Sequence, residues 1–403
     1  MPNYKYLIVG GGMAADAAID GIRQGDPQGS IGLVSAELLP PYRRPPLSKG
    51  LWKGRMPLEN VWLPNAVREA TLHLGCRVRT LDPMSKCLTD DMGSIYRYEK
   101  LLLATGGAPR RLHAISNSVI YFRTLTDYHH LRVMAAHRHR FAVIGGGFIG
   151  SEIAAALSLR GKEVVMIFPE SGIGGRQFPA ELSRFLNDHF AGKGIEVRAE
   201  EEVVAVESLQ SGFVVKTRGL KTHQQQEFAV DGVVAGLGIQ PNVELAHRAN
   251  LVVGDGIRVD VALRTSNPDI YAAGDVAEFF NPALQKHMRV EHEDNAVTMG
   301  EAAGRSMAGM PVYYDHIPSF YSDLFDMGYE AVGEVDSSME TVADWKEPMR
   351  EGAIYYLRDG RVRGVLLWNV WEQVEAARRL IADTSQVRPE DLIGRLTESF
   401  QHV

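Results

Sequence analysis

The stretch YKYLIVGGGMAA, residues 4–15, and the stretch FAVIGGGFIGSE, residues 141–152, share one design and decide the fold of this chain. Each begins with a short apolar run typical of a buried strand, passes through three glycines and enters a stretch with helical spacing. Such a strand–turn–helix junction with small residues at these positions cradles a pyrophosphate. One motif alone is weak evidence, but two in the same chain predict that two dinucleotides are held at once.

Each small residue of the two motifs has a predicted role. The first permits the tight turn, the second lets phosphates approach the backbone, and the third lets the helix pack closely on its strand. The helix N-terminus adds free N–H groups and the positive end of a dipole. The predicted phosphate-binding residues are Gly10, Gly12, Ala14 and Ala15 in the first motif, and Gly145, Gly147, Phe148, Ile149 and Gly150 in the second.

Composition places the chain among ordinary globular proteins. Its 403 residues are 45% hydrophobic and 23% charged, which predicts two or three domains. The net charge of −7 argues against bulk binding to nucleic acid, which requires a basic surface. The chain enters its first strand without a signal peptide, and no run approaches the roughly 18 apolar residues that span a bilayer. We therefore expect a cytoplasmic protein that does not contact membranes.

Redox cysteines and metal ligands are not predicted. Cys76 and Cys87 are the only cysteines, and they are too few and too far apart for a redox pair or a metal knuckle. We expect both thiols to be buried or inert, with a free reactive thiol as the alternative. The stretch EHED, residues 291–294, has the composition of a metal site, but contiguous side chains here should diverge, so no metal is expected.

In each nucleotide-binding unit, an acid after the second strand is expected to hold a ribose. Strand 31–35 is followed by Glu37, the candidate ligand of the first unit, although Ala36 occupies the position directly after the strand. Strand 164–168 is followed by Glu170, about 20 residues beyond the second motif. A carboxylate there repels a 2′-phosphate, which favours NADH over NADPH, while nearby Arg176 keeps NADPH open.

Further paired elements make the middle of the chain look like a duplication of its beginning. Strand 101–103 ends in a turn at Ala104, Thr105 and Gly106, and strand 232–235 ends in a similar turn containing Gly236 and Gly238. A helix is predicted over 295–308, and after about residue 311 the pattern changes to alternating aromatic strands joined by a hairpin turn. The elements predicted for this last part are strands 329–335, 353–357 and 362–368 and helices 371–382 and 389–400.

Together these motifs resemble the two-dinucleotide FAD/NAD(P)H oxidoreductases of the pyridine nucleotide–disulfide reductase superfamily. Within it, the chain looks most like apoptosis-inducing-factor-like flavoproteins and bacterial ferredoxin and rubredoxin reductases. The stretch RPPLSK, residues 44–49, is similar to the flavin-loop signature of both groups. The stretches that favour the apoptosis-inducing-factor group are 98–110, 168–170, 289–292, 328–331 and 366–369.

The resemblance implies an α/β fold with two Rossmann-like, glutathione-reductase-like dinucleotide-binding domains and a C-terminal α+β domain. The FAD-binding domain is then discontinuous, with parts 1–112 and 251–310, and the NAD-binding domain 113–250 is inserted in it. Residues 311–403 form the C-terminal reductase or dimerisation-type domain, which leaves a homodimer open.

Three departures from the family limit what the resemblance implies. No Cys-x-x-x-x-Cys pair is present beside the flavin, so no redox-active disulfide is expected. The leader and membrane segment of apoptosis-inducing factor are absent. Its long C-terminal insert is also missing, because only residues 341–350 separate two strand regions. Nuclear and DNA-binding roles are therefore not expected.

The resemblance assigns roles around the two cofactors. Lys49 and Glu152 match an ion pair beside the flavin, Phe148 matches a gate at the nicotinamide pocket, and His316 and Trp368 match residues on the open side of the flavin. Spacing alone is equally consistent with a core role for Phe148 and Trp368. The remaining implied FAD ligands are Arg44, Ala104, Thr105, Gly106, Gly274, Asp275, Glu291, His292 and Ala296, and the remaining implied NADH ligands are Glu170, Arg176, Gly236 and Gly238.

The function implied is an FAD-dependent NADH oxidoreductase that passes hydride from NADH to flavin N5 and electrons onward to a ferredoxin- or rubredoxin-type protein. The alternative is a redox-gated protein like apoptosis-inducing factor, with a long-lived NADH/FAD charge-transfer complex and slow turnover. A quinone or small-molecule reductase is a third possibility. The basic run 129–140 is interpreted as a solvated helix face, with a docking patch for an acidic ferredoxin as the alternative.

Overall fold

The computed structural model describes residues 1–112 and 118–397, and its contacts divide the chain into two compact units. The first unit comprises residues 1–44, 58–108 and 240–320, and the second comprises 45–57, 109–239 and 321–403. Most of the two expected FAD-binding parts lies in the first unit, together with residues 240–250 of the expected NAD-binding domain. The rest of the expected NAD-binding domain and most of the expected C-terminal domain lie in the second unit, together with segments 45–57 and 109–112.

The core of the first unit is a seven-stranded sheet that begins with the first glycine motif. Its neighbouring strands are, in order, Thr71–Leu74, Ile31–Ser35, Asn3–Val9, Ile95–Leu103, Cys87–Asp90 and Val78–Asp82, with Ile270–Ala272 also paired to Ile95–Leu103. Strand Asn3–Val9 lies parallel to both neighbours, so that Val9 pairs with Val34 and Leu103. Parallel strands covered on both faces read as continuous apolar runs, which is why these segments were visible in the sequence.

Helix Met13–Gly25 follows the first glycine turn and packs against helix Glu293–Met307. The two backbones approach so closely that a Cβ added at Gly300 would lie 2.3 Å from the Ala14 oxygen, and one at Gly304 would lie 2.0 Å from the Ala18 oxygen. Only glycine fits at these two positions, and the contact places the start of helix Met13–Gly25 beside the middle of helix Glu293–Met307.

The other elements of the first unit are short. Its α-helices Asn65–Glu69 and Glu244–Arg248 and its 3-10 helices Leu58–Val61 and Gly274–Val276 flank the sheet, and a three-stranded sheet has the order Ile257–Arg258, Ala277–Asn281 and Lys286–Arg289. Two of the passages of the chain from one unit to the other fall within strands Gly107–Pro109 and Ile239–Pro241, and the others fall after residues 44, 57 and 320.

The second unit contains the second glycine motif in a five-stranded sheet. The strand order is Ile195–Ala199, Glu163–Phe168, Arg140–Ile144, Gly232–Ala235 and Ile120–Tyr121. Its helices are Leu125–His137, Phe148–Ser158 and Ala180–Gly192, the segment Pro45–Leu47 is a 3-10 helix, and an antiparallel sheet consists of Glu201–Ser208, Phe213–Gly219 and Gln225–Val230. This arrangement repeats the strand–turn–helix unit of the first glycine motif.

Up to residue 397, where the described residues end, the C-terminal part is an antiparallel sheet with two flanking helical segments. Its strand order is Ser319–Leu324, Met327–Gly333, Arg361–Trp368, Glu351–Arg358 and Glu340–Glu347, and the helical segments are Val374–Ala382 and the 3-10 helix Pro389–Leu392. Two of these strands, Ser319–Leu324 and Glu340–Glu347, were not predicted. The second overlaps residues 341–350, which the sequence analysis treated only as a separator.

Three predicted boundaries in this part were wrong for a backbone reason. The strand predicted to residue 335 ends at Gly333, whose φ of +72° is left-handed. The helix predicted from residue 371 begins at Val374, because Glu372 has a φ of +64°. The helix predicted over 389–400 is a single 3-10 turn, and its residues 398–400 lie outside the described residues. Within the described ranges, none of the helices has the length and apolar character required to cross a membrane.

Candidate dinucleotide and redox site

The first glycine turn leaves space where a phosphate would lie. Gly10 has a φ of +127°, and a Cβ there would lie 2.0 Å from the Ala104 oxygen, so this residue must be glycine. A Cβ at Gly12 would meet no atom of the described residues within 4 Å, which leaves the turn open. Gly12 is also the N-cap of its helix, and glycine has no side chain that could cap the first N–H groups. The first N–H groups of the helix are therefore available to an anion.

Glu37 is held beside the turn by two partners. Its carboxylate accepts a hydrogen bond of 2.6 Å from the Tyr42 hydroxyl and forms an ion pair of 2.5 Å with Arg44. Burial would lower the pKa of Arg44, but nearby negative groups, including Glu37 and Asp275, hold that pKa above its ordinary value. The structure thus brings together Glu37, Arg44 and Asp275, three residues that the sequence assigned to one cofactor.

Gly274, Ala14 and Ala296, which are also expected at this cofactor, lie close together. Gly274 has a φ of +77°, and a Cβ there would lie 2.9 Å from that of Ala14 and 4.0 Å from that of Ala296. Arg289 connects two further expected residues, Asp275 and Glu291. It donates to the Asp275 carbonyl at 3.1 Å and pairs with the Glu291 carboxylate at 2.9 Å.

The turn Ala104–Gly106 is fixed by an asparagine that the sequence did not single out. Asn242 donates through Nδ2 to the Thr105 oxygen at 2.8 Å and accepts at its carbonyl from Thr105 Oγ1 at 2.9 Å. Its N–H donates to the Gly106 carbonyl at 2.9 Å. The turn Ala104–Gly106 and the segment that carries Asn242 are thereby linked by three hydrogen bonds.

The second glycine turn repeats the geometry of the first. Gly145 has a φ of +114°, and its Cβ would lie 2.4 Å from the Gly236 oxygen. A Cβ at Gly150 would lie 1.9 Å from the Gly145 oxygen, whereas one at Gly147 would meet no described atom within 4 Å. The helix begins at Phe148, which is partly exposed.

Glu170 and Arg176 lie together after the neighbouring strand. Glu170 Oε1 is 2.6 Å from Arg176 Nε, and the Arg176 side chain is 75% exposed. The loop that carries them is tied to the turn, because the Gly174 N–H donates to the Gly146 carbonyl at 2.8 Å. Ser337 supports the loop from the C-terminal part, donating to the Gly175 carbonyl at 2.8 Å. A negative and a positive group thus stand where the second ribose is expected.

Lys49 and Glu152 form a buried ion pair within the second unit. The distance from Lys49 Nζ to Glu152 Oε1 is 2.8 Å, and the exposed fractions of the side chains are 13% and 1%. Burial alone would lower the pKa of Lys49, but the charge and hydrogen bond of Glu152 outweigh it, so the pKa lies above the ordinary 10.5. Lys49 also lies over the ring of Tyr321, 5.1 Å from its centroid.

Two serines complete the coordination of Glu152. Ser48 Oγ donates to Oε2 and Ser322 Oγ donates to Oε1, both at 2.5 Å. Behind them, Tyr329 is fully buried, and burial and the charge of Glu152 raise its pKa well above the ordinary value. Ser48 adjoins Lys49 in the sequence and could have been inferred from the quoted RPPLSK stretch, whereas Ser322 is 170 residues from Glu152 and gives no sequence signal.

Trp368 does not occupy the place expected from the resemblance. Its side chain is 0% exposed, its ring stacks on Tyr329 at 5.5 Å, and its Nε1 donates to the Met349 carbonyl at 3.1 Å. A residue lining the open side of a cofactor would present ring surface, so this prediction was wrong and the core interpretation holds. The alternating strand Arg361–Trp368 directs this position inward.

His316 lies in the first unit, at the start of helix Glu293–Met307. Its Nε2 is 2.6 Å from Asp294 Oδ2, and its carbonyl accepts from Asn281 Nδ2 at 2.8 Å. The same carboxylate accepts from the Ser319 N–H at 2.9 Å. The pair was not expected from the sequence, and it holds His316 at the N-terminus of this helix.

The four side chains of residues 291–294 diverge. Glu291 pairs with Arg289, His292 stacks on Phe320 at 4.2 Å, Glu293 pairs with Arg43 at 3.3 Å, and Asp294 pairs with His316. Within residues 1–112 and 118–397, no group of three or more potential ligands is arranged to hold a metal. Cys76 is buried, Cys87 is partly buried, and both are free thiols.

The basic run forms part of helix Leu125–His137 and the strand after it. His129, His130 and His137 are exposed, as expected of a solvated helix face. Arg132 instead turns inward over the ring of Trp52, 5.3 Å from its centroid.

The residues present fit FAD and a nicotinamide nucleotide. Each unit has a turn with open space beside its third glycine, Gly12 or Gly147. A helix N-terminus follows this turn, and an acidic residue follows the next strand. Arg44 adds a cation in the first unit, where a pyrophosphate would need one.

Comparison with known proteins agrees with this construction. Residues 4–300 match the family model described as pyridine nucleotide-disulphide oxidoreductase, and residues 303–351 and 344–383 match that of the apoptosis-inducing factor, mitochondrion-associated, C-terminal domain. The chain is 33% identical to the 5,5′-dehydrodivanillate O-demethylase ferredoxin reductase subunit of a Sphingobium species, with 96% of this chain and 95% of that protein covered. It is also 33% identical to apoptosis-inducing factor 1 of Dictyostelium discoideum, with 94% and 78% covered.

Among solved structures, the reductase in the covalent putidaredoxin reductase–putidaredoxin complex has a TM-score of 0.88 and 27% identity, with 97% of this chain and 95% of that chain covered. The ferredoxin reductase for the CYP199A2 system from Rhodopseudomonas palustris has a TM-score of 0.86 and 28% identity, with 96% of each chain covered. With its paired dinucleotide turns and no disulfide among its described residues, the chain belongs to the pyridine nucleotide–disulphide oxidoreductase family, whose enzymes use FAD and NAD(P)H.

Proposed function

We propose that this protein is an FAD-dependent NADH oxidoreductase that supplies electrons to a ferredoxin- or rubredoxin-type protein. When bound, FAD would accept a hydride from NADH and release electrons one at a time to such an acceptor. The observation that carries the proposal is the buried Lys49–Glu152 ion pair, which places a fixed charge in a largely dry setting. Ferredoxin reductases among its relatives, including the ferredoxin–NAD⁺ reductase component of an anthranilate dioxygenase system from Burkholderia cepacia at 32% identity, support the choice of acceptor.

The residues of this chain would bind, orient and stabilise. Gly10, Gly12 and the helix after them would hold the FAD pyrophosphate with backbone N–H groups, and Arg44 would add a cation. Lys49, kept charged by Glu152, would stabilise negative charge that develops nearby, an effect that grows as water is excluded. Phe148 would gate the nicotinamide pocket.

The nucleotide preferred is NADH. Glu170 would accept hydrogen bonds from the adenosine ribose and repel a 2′-phosphate, although its partner Arg176 is exposed and could turn toward that phosphate. The proposal therefore predicts preference for NADH with measurable use of NADPH.

A second candidate function has its own support. The similarity to apoptosis-inducing factor extends through the C-terminal domain, which matches the model named for that protein. On this alternative, the protein is a redox-gated partner of other proteins, with a long-lived complex between NADH and FAD, slow turnover and a redox-dependent oligomeric state.

One experiment separates the two. NADH is added anaerobically to the yellow protein, the long-wavelength absorbance is followed, air is admitted, and cytochrome c reduction is measured with and without a ferredoxin. Rapid reduction that depends on the ferredoxin supports the first function. A persistent long-wavelength band with conversion of monomer to dimer supports the second. Protein that stays colourless even after refolding with FAD contradicts both.

A further inference from the structure

The segment Pro45–Pro57 is the only part of residues 1–108 that packs with the second unit. Its flanking residues, Arg44 and Leu58, belong to the first unit. The position of the segment is therefore set by its own contacts within the second unit and not by its two neighbours in the sequence. The segment carries Ser48 and Lys49, which both bind Glu152, so its attachment decides where these two side chains stand.

Trp52 attaches the segment to the second unit. It is 3% exposed, and its ring packs edge-on against Tyr128 with centroids 5.5 Å apart. Its Nε1 donates to the Leu47 carbonyl at 2.7 Å, and its backbone N–H donates to the Lys49 carbonyl at 3.1 Å. These bonds hold the residues on either side of Ser48, so the loop that presents Ser48 and Lys49 is closed on Trp52.

Arg160 holds Trp52 from the far end of a helix. Its Nη2 donates to the Trp52 carbonyl at 2.9 Å, and its guanidinium lies 6.0 Å from the centroid of the indole. Arg160 follows helix Phe148–Ser158, whose second turn carries Glu152, about 12 Å away at 1.5 Å per residue. The segment is thus fastened lengthwise along this helix, by Glu152 at one end and by Arg160 at the other.

A buried ion pair depends on such fastening. Charges taken out of water are stabilised only when their geometry is maintained, and a displaced Lys49 would leave Glu152, 1% exposed, without its cation. We propose that Trp52 and Arg160 are positioning residues that fix Ser48 and Lys49 on Glu152. The kinetic part of this inference rests on the proposed function, since it concerns the reduction of bound flavin by NADH.

The kinetic test is a double-mutant cycle. In Arg160→Ala, flavin reduction at saturating NADH should slow about tenfold, because a small displacement of an active group is costly, while FAD content and the KM for NADH remain unchanged. In the Lys49→Ala background, the same substitution should have no further effect. A purely structural role would slow both backgrounds by the same factor. Trp52→Phe, which retains a ring but loses the Nε1 donor, should give an intermediate rate.

The second test does not require turnover. Lys49 is labelled with an amine-reactive reagent in folded protein, and the labelling rate is followed by mass spectrometry. Arg160→Ala should raise this rate several-fold. Arg218→Ala is the matched control, because Arg218 belongs to an exposed ion pair with Glu202 in the same unit, and it should leave both the rate of reduction and the labelling unchanged.

The outcomes are distinguishable. Unchanged labelling of Lys49 in Arg160→Ala overturns the positioning role, as does an additive effect of the two substitutions on flavin reduction. If NADH does not reduce the flavin of the unsubstituted protein, the proposed function is wrong, and the labelling experiment alone decides the positioning role.

Discussion

The two glycine turns have one geometry but different surroundings. In both, the first glycine has a left-handed φ and faces a backbone oxygen of a returning segment, that of Ala104 in the first unit and of Gly236 in the second. In both, the third glycine, Gly12 or Gly147, leaves open space among the described residues. The turn itself therefore explains why each unit can hold a dinucleotide, and it does not explain which one.

The neighbouring acids differ. Glu37 is paired with Arg44, whose side chain is 21% exposed, and also accepts from Tyr42. Glu170 is paired with Arg176, whose side chain is 75% exposed. An acid held by a partly buried cation suits a cofactor that stays bound, whereas an exposed pair suits a nucleotide that exchanges.

The helices after the turns differ as well. Seven residues after its first glycine, the second motif has Glu152, and the first motif has Ala17 at the same place. Glu152 forms an ion pair with Lys49 and accepts hydrogen bonds from Ser48 and Ser322. The helix of the first motif, Met13–Gly25, packs closely on helix Glu293–Met307. On the proposed function, the motif would supply phosphate binding, and its neighbours would supply the choice of cofactor and the chemistry.

The largest expected effect comes from the turns themselves. Gly10→Ala should yield colourless protein, because its Cβ would overlap the Ala104 oxygen at 2.0 Å and displace the FAD turn. Gly145→Ala should yield yellow protein that NADH does not reduce. The ratio of flavin to protein absorbance and an NADH titration measure both. Full FAD content in Gly10→Ala, or loss of FAD in Gly145→Ala, would contradict the assignment of FAD to the first turn and of NADH to the second.

The next effect concerns the ion pair found only in the second unit. Lys49→Ala leaves Glu152 buried without its cation, which should lower the free energy of unfolding by about 3–5 kcal/mol and slow flavin reduction, with FAD still bound. Glu152→Ala should slow reduction similarly. Stopped-flow bleaching of the flavin band and denaturant unfolding measure the two effects. An unchanged bleaching rate in either variant would remove both residues from the reaction.

A smaller effect is expected at the two acids. Glu170→Ala or Glu170→Arg should lower the ratio of NADH to NADPH efficiency, because the repulsion of a 2′-phosphate is lost. Glu37→Ala, the matched change in the first unit, should weaken FAD retention and leave that ratio unaltered. Measurement of kcat/KM with both nucleotides tests this. Preference for NADPH in the unsubstituted protein would contradict the role given to Glu170.

The smallest effect is a pH dependence. Because the pKa of Lys49 is raised above 10.5, its contribution to stability is complete below pH 10.5 and is lost as the pH rises through the higher folded value. The difference in unfolding free energy between the unsubstituted protein and Lys49→Ala should therefore remain constant from neutral pH to about 10 and shrink above it. A difference that already falls near neutral pH would show that the pair is not held as described.

Much of the fold could be predicted from local patterns. Strands 31–35 and 232–235 have the predicted limits, because a buried parallel strand is a continuous apolar run with turn residues at its ends. The limits of the C-terminal elements were harder to predict. Helix Val374–Ala382 begins after Glu372, whose backbone is left-handed, and a glutamate gives no sign of that conformation in a sequence. Gly333, which ends a strand, permits the conformation but does not require it.

The candidate site was predicted unevenly for a similar reason. Lys49 and Glu152 were identified by resemblance, and the structure brings them together. Ser322 and Asn242 were missed, because each acts on a residue more than a hundred positions away. Trp368 was misplaced, because an alternating pattern shows that a side chain is directed to one face but not what covers that face.

The amino-acid sequence by itself determined that two dinucleotide turns exist, because glycine spacing, apolar runs and helix starts are local properties. Only the tertiary structure decided that Pro45–Pro57 packs with the second unit, that Ser48 and Ser322 complete the site of Glu152, and that Trp368 is core. These features depend on the free energy of burying particular side chains against distant ones, which is a property of the folded chain as a whole.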